Sequence, residues 1–117
     1  MFDFMCVTKA LADESRVRLL LALQDRELCV CQLIALLQLA PSTVSKHLSI
    51  LRQARLITCR KEGRWMYYRL VKYSEYPAAA DALDWVFESV KNEPLIRNDK
   101  VRLNKILSQP QETMCAH

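Results

Sequence analysis

The sequence predicts a mainly α-helical fold with one small β-hairpin, and three observations carry that prediction. Apolar residues recur at helical spacing through most of the first 54 positions and again from about residue 77. The pattern changes to period two only in Leu56-Ile57-Thr58-Cys59-Arg60 and Trp65-Met66-Tyr67-Tyr68-Arg69-Leu70, both rich in β-branched and aromatic residues. Glycine occurs once, at Gly63, which excludes an all-β fold built on many tight turns.

Taken in order, Phe4, Val7, Ala10 and Leu11 share a face and predict a short helix over about 4–11. Phe2, Phe4 and Met5 are large apolar groups at a chain end and need cover from this core or from a second chain. Asp13 is placed to cap a helix over about 14–23. Gln24-Asp25-Arg26 is the polar connection to a third helix, expected over about 29–37 with Leu33, Leu36 and Leu37 inward. Residues 38–40 make a short turn, and Pro41 suits the first turn of a fourth helix, expected over about 42–54. Val44, Leu48 and Leu51 form its inner face. Lys61-Glu62-Gly63-Arg64 joins the two strands, with Gly63 where a positive φ is most useful. Pro77 opens a long helix to about residue 91 whose broad apolar stripe invites a partner helix, and Pro94 is expected to end it. A short helix over about 98–108 follows.

The length of 117 residues suits one domain with a modest core, expected over residues 1–108, with 109–117 as a loose tail. No apolar run is long enough to span a bilayer, and the first residues lack the pattern of a secretion signal. Five cysteines, an odd number, argue against a disulfide framework and for a reducing, cytoplasmic compartment.

Charge is distributed unevenly. The whole chain carries +4, yet residues 46–72 hold eight basic side chains and one acid, Glu62. A polyanion partner for that segment is the simplest reading. Two helices joined by a tight turn and followed by a basic hairpin make a winged helix-turn-helix, whose second helix enters the major groove through its N-terminal residues. The expected DNA-facing side chains there are Ser42, Thr43, Ser45, Lys46 and His47. Arg60, Lys61 and Arg64 on the wing would lie along the backbone or minor groove of double-stranded DNA.

The pieces Leu11-Ala12-Asp13-Glu14-Ser15-Arg16, Glu27-Leu28-Cys29-Val30-Cys31-Gln32-Leu33, Ser42-Thr43-Val44-Ser45-Lys46-His47-Leu48 and Gly63-Arg64-Trp65-Met66-Tyr67-Tyr68-Arg69-Leu70 resemble the ArsR/SmtB family of metal- and metalloid-responsive repressors. The resemblance covers about residues 11–70. It implies a homodimer joined by its first and last helices, operator binding without inducer, and release when inducer binds.

Thiolates select soft acceptors such as As(III), Sb(III), Cd(II), Pb(II) or Cu(I), so Cys29 and Cys31 are the candidate ligands. Residues two apart lie about 200° from each other around a regular helix, so chelation by both would deform that turn. The resemblance implies a third cysteine three residues beyond the pair, but Ile34 stands there. The resemblance also implies an N-terminal cysteine, often from the partner subunit, which makes Cys6 the expected replacement. Cys115 is a second candidate, two thiolates plus water or hydroxide a weaker alternative, and Cys59 a packed small residue. The expected inducer is trivalent arsenic or antimony; the alternative input is Cd(II), Pb(II) or oxidation of the dithiol. A thiol redox enzyme would need Cys-x-x-Cys in a strand-turn-helix setting, which the chain lacks, so no enzyme is expected.

Overall fold

Residues 1–110 are described by a computed structural model. Among them the order is α1 (Phe2–Leu11), α2 (Glu14–Ala22), β1 (Leu28–Cys29), α3 (Val30–Leu37), α4 (Pro41–Gln53), β2 (Ile57–Glu62), β3 (Trp65–Leu70), α5 (Pro77–Val90) and α6 (Pro94–Leu107). No helix here is long and apolar enough to cross a membrane.

Local chemistry sets most of these boundaries. The Asp13 carboxylate accepts from the Arg16 backbone N–H at 3.1 Å and starts α2. Gln38 ends α3 in the left-handed region at φ 56, and its N–H donates to the Ile34 carbonyl at 2.9 Å. Pro41 is the first residue of α4. Gly63 has φ +60 at the first position of the two-residue link between β2 and β3, as the hairpin reading required.

Leu19, Leu20 and Leu23 of the α2 segment meet Leu33 and Leu36 of α3, Leu48 and Leu51 of α4, and Leu56 before β2 in one buried cluster. Each such leucine stabilises the fold by roughly 2 kcal/mol through removal from water. The helix-turn-helix therefore rests on α2 as a third support.

Three elements differ from expectation. The third helix begins at Val30, because Cys29 is extended (φ −81, ψ 158) and belongs to β1. That strand is too short for an alternating pattern to reveal. It pairs antiparallel with β3, giving the sheet order β1-β3-β2. Pro94 does not close the long helix; α5 already ends at Val90, and Pro94 is the first residue of α6, which starts four residues earlier than expected.

The inner face of α6, Ile96, Asp99, Leu103 and Ile106, packs on α2 and α3. Asp99 is the buried charge of this face, 6 % exposed. It accepts from Arg18 Nε at 2.8 Å and from Arg18 Nη2 at 2.9 Å, a two-pronged pair that also raises the Arg18 pKa. Replacing Asp99 with Ala leaves a largely buried guanidinium without its acceptor. The expected loss is about 2 to 3 kcal/mol. It reads as a lower urea midpoint at unchanged m-value.

Candidate nucleic-acid interface and thiol site

The first turns of α4 carry Ser42, Thr43, Ser45 and Lys46 exposed, with His47 half-buried beside them. Val44 and Leu48 point into the core and fix the rotation of the helix. Arg16, Ser42, Thr43, Lys46, His47 and Ile50 line one groove of about 510 Å³. Sequence reasoning gave Arg16 no role, and it proves central. Its Nε donates to the Ala10 carbonyl at 2.8 Å and its Nη2 to the Lys9 carbonyl at 3.1 Å, holding the C-terminal end of α1. Its Nη1 lies 3.2 Å from His47 Nδ1. A guanidinium has no acceptor, so Nδ1 accepts and the ring hydrogen sits on Nε2. His47 thus offers an N–H donor from its other edge. Asp13-x-x-Arg16 directly after an apolar helix was the available signal.

The wing brings Arg60, Lys61 and Arg64 to one hairpin, but not in equivalent roles. Lys61 is exposed. Arg64 lies over the Trp65 ring, 4.7 Å from its centroid. Arg60 is held by carboxylates: Nη2 meets Glu27 Oε1 at 2.8 Å, and Nη1 meets Glu62 Oε2 at 2.7 Å. At the wing base Arg69 pairs with Glu75 at 3.0 Å, and the Lys72 backbone N–H donates to the same carboxylate at 2.8 Å. Arg69 first, then Lys72, lowers the Glu75 pKa from 4.5 to about 2.

The thiol pair stands at the root of α3. Cys29 is fully buried and is the N-cap: its sulfur accepts from the Gln32 backbone N–H, while its own backbone N–H donates to Gln32 Oε1 at 3.0 Å. Cys31, half-buried, is the second residue of the helix. Because Cys29 lies outside the helix, the 200° separation of a regular helix does not apply to the pair. Cys29, Val30, Cys31, Arg64, Trp65 and Met66 line a cavity of about 180 Å³, so the thiol turn faces the wing.

Cys6 is a free thiol on α1, partly buried against the core. Among the described residues no three of His, Cys, Asp and Glu gather to hold a metal ion, so one chain does not bring Cys6 to the pair. Cys59 is also a free thiol, half-buried opposite Tyr68. Ile34 packs against the core where a third cysteine was sought. Cys115 lies outside the described residues.

Comparison with known proteins gives a consistent picture. The sequence model described as bacterial regulatory protein, arsR family, matches residues 13–58. The chain is 39 % identical over 113 residues to the arsenic resistance transcriptional regulator ArsR1 of Pseudomonas putida, covering 94 % of this chain and 85 % of that one. It is 40 % identical over 94 residues to the arsenical resistance operon repressor of Escherichia coli, covering 77 % and 79 %. Among solved structures, the homodimeric winged helix-turn-helix DNA-binding domain Mb0332 of Mycobacterium bovis superposes with a TM-score of 0.62 at 25 % identity, covering 79 % of this chain and 85 % of that one.

The wing base has a pH signature. The Glu75 carboxylate is depressed in the folded chain, so its stabilisation is full above about pH 4.5 and is lost as pH falls toward 2. The stability gap between the native chain and Glu75→Gln is expected to shrink over that window. Urea midpoints of both, taken from pH 7 down to pH 2.5, check it.

Proposed function

Because the chain belongs to the ArsR family of bacterial regulatory proteins, which are transcriptional regulators and not enzymes, we propose that it is a homodimeric repressor that binds double-stranded operator DNA and leaves it when trivalent arsenic or antimony binds reduced Cys29 and Cys31. The observation that carries this reading is the place of the pair: Cys29 caps α3, the helix packed directly beneath α4, and pairs with the wing strand β3.

Two thiolates suit a soft trivalent ion. Cys29 Sγ accepts from the Gln32 N–H in the capped helix, and its backbone is paired in β1. A sulfur drawn toward an ion shared with Cys31 gives up that cap geometry and pulls on the strand. Release follows if the ion binds the form without the cap better than the DNA-competent form, since only differential affinity moves the equilibrium. Cys6 of the partner subunit is the proposed third sulfur, with 1–108 as the functional domain and α1 and α5 as the dimer surface. Phe2 at 78 %, Phe4 at 64 % and Trp85 at 67 % exposure are large apolar groups that a second copy would cover. DNA contact is proposed for Ser42, Thr43, Ser45, Lys46 and His47 on α4 and for Lys61 and Arg64 on the wing.

A second reading has its own observation. The chain is 38 % identical over 69 residues to a cadmium resistance transcriptional regulatory protein CadC homolog of Staphylococcus aureus. This favours a heavy metal as an input to the same DNA-binding switch, with thiol oxidation a further alternative. The two readings part in one titration: fully reduced protein on its operator receives arsenite, antimonite, Cd(II), Pb(II) or a mild oxidant in turn. The arsenical reading expects the first two to act on reduced protein without oxidant.

For DNA binding, Lys46→Ala or Arg64→Ala should each raise the operator Kd and reduce the slope of log Kd against log salt by about one, the signature of one lost phosphate contact. Fluorescence anisotropy at several salt concentrations measures both. For induction, Cys29→Ser and Cys31→Ser should keep operator affinity within about threefold and lose the arsenite response, while Cys59→Ser keeps it. Arsenite-driven release from a double Cys29→Ser, Cys31→Ser protein would place the sensing thiols elsewhere.

A further inference from the structure

We propose that Arg60 is a positioning residue that couples the thiol turn to the wing, and that it does not contact DNA. The inference rests on the arsenite reading above and names how that site would reach the wing. Its basis is a row of residues crossing all three strands. Cys29 of β1 stands opposite Tyr67 of β3, and Tyr67 stands opposite Arg60 of β2. Arg60 reaches back over this row. Its guanidinium lies over the Tyr67 ring, 4.7 Å from the centroid, and ends on Glu27, two residues before Cys29.

The contact is two-pronged. Arg60 Nε donates to Glu27 Oε1 at 3.1 Å and Nη2 to the same oxygen at 2.8 Å, while Nε also lies 3.1 Å from Oε2. Glu62 takes the remaining edge through Nη1 at 2.7 Å. An isolated exposed ion pair contributes little, but a planar fork on a carboxylate over an aromatic face has a defined geometry that a lysine cannot reproduce. The clasp therefore ties β2 to the segment entering β1, across the strand between them. With its donors directed to two carboxylates, Arg60 is badly placed to neutralise a phosphate. A shift of Cys29 toward an ion moves Glu27 and β1 together, and through the clasp it moves the strand that leads to Lys61 and the wing tip.

The test uses the full-length reduced protein, a duplex operator, and arsenite. Each variant gives three readings: operator Kd with and without arsenite, the salt slope of Kd, and arsenite affinity of the DNA-free protein from the thiolate–arsenic ultraviolet absorption. Arg60→Ala, Arg60→Lys and Glu27→Gln should lower the arsenite-induced change in Kd by about fivefold or more. Their salt slope and their arsenite affinity without DNA should stay at native values. Glu62→Gln breaks only the contact within β2 and should keep the native response. The exchange Glu27→Arg with Arg60→Glu should recover part of the response lost in either single variant, which general damage to the fold would not do. A native-sized response in Arg60→Ala, or a salt slope lower by about one, overturns the proposal and makes Arg60 a DNA contact or a bystander. A native chain that ignores arsenite overturns the arsenite reading and this coupling with it, so the two failures are told apart by the native control.

Discussion

The first turn of any α-helix leaves backbone N–H groups without intrahelical acceptors, and here the means of satisfying them at α3 governs the rest of the molecule. Cys29 accepts one of these bonds through sulfur, and Gln32 closes the reciprocal one. A serine or aspartate would be the ordinary choice of cap. With sulfur, the atom that ends the helix is also the atom with the strongest preference for a soft ion. The cap and the proposed ligand are one group, so it cannot serve both without changing geometry. The same residue forms half of β1 and is fully buried.

Three arginines spread the consequences of that turn through the fold. Arg18 fastens α2 to α6 through Asp99, and Arg102 of α6 reaches the Ala35 carbonyl of α3 at 3.4 Å. The helix beneath the reading helix is thus braced from behind. Arg16 fastens the end of α1 to α2 and touches His47 on α4. The α1 helix carries Cys6 and the exposed Phe2 and Phe4. A displacement of α1, where a second subunit is proposed to dock, would therefore be felt at His47 on α4, a proposed DNA contact, through one guanidinium.

Helical spacing, the Asp13 cap, Pro41 and Gly63 each state their role locally, which is why the winged helix-turn-helix was legible from the sequence. What was not legible depends on contacts distant in sequence. A two-residue strand has no period, so β1 appears only once β3 lies beside it. Pro94 fits either the end of one helix or the start of the next, and the α6 packing on α2 and α3 decides between them. The candidate site divides the same way. The exposed residues of α4 could be placed from periodicity alone. The roles of Arg16 and Arg60 could not, because their partners lie up to 33 positions away.

This division changes what the basic segment means. Eight cations between residues 46 and 72 suggested a uniform surface for a polyanion. In the folded chain, Arg60 and Arg69 are committed to carboxylates, and Arg55 lies over the Tyr76 ring at 5.1 Å. Paired cations add little to long-range attraction because their partners cancel them nearby. Of the exposed cations that remain, which include Arg52 and Lys72, the proposed DNA contacts are Lys46 on α4 and Lys61 and Arg64 at the wing tip. The first stands on the helix supported by α3, and the other two on the hairpin joined to Cys29 through β3. In the proposed switch, a change at the thiol turn would act on the relative placement of these two small charged patches. Affinity that depends on two patches meeting the same duplex is sensitive to their spacing, which is how a modest movement at the start of α3 would weaken operator binding in the proposed switch.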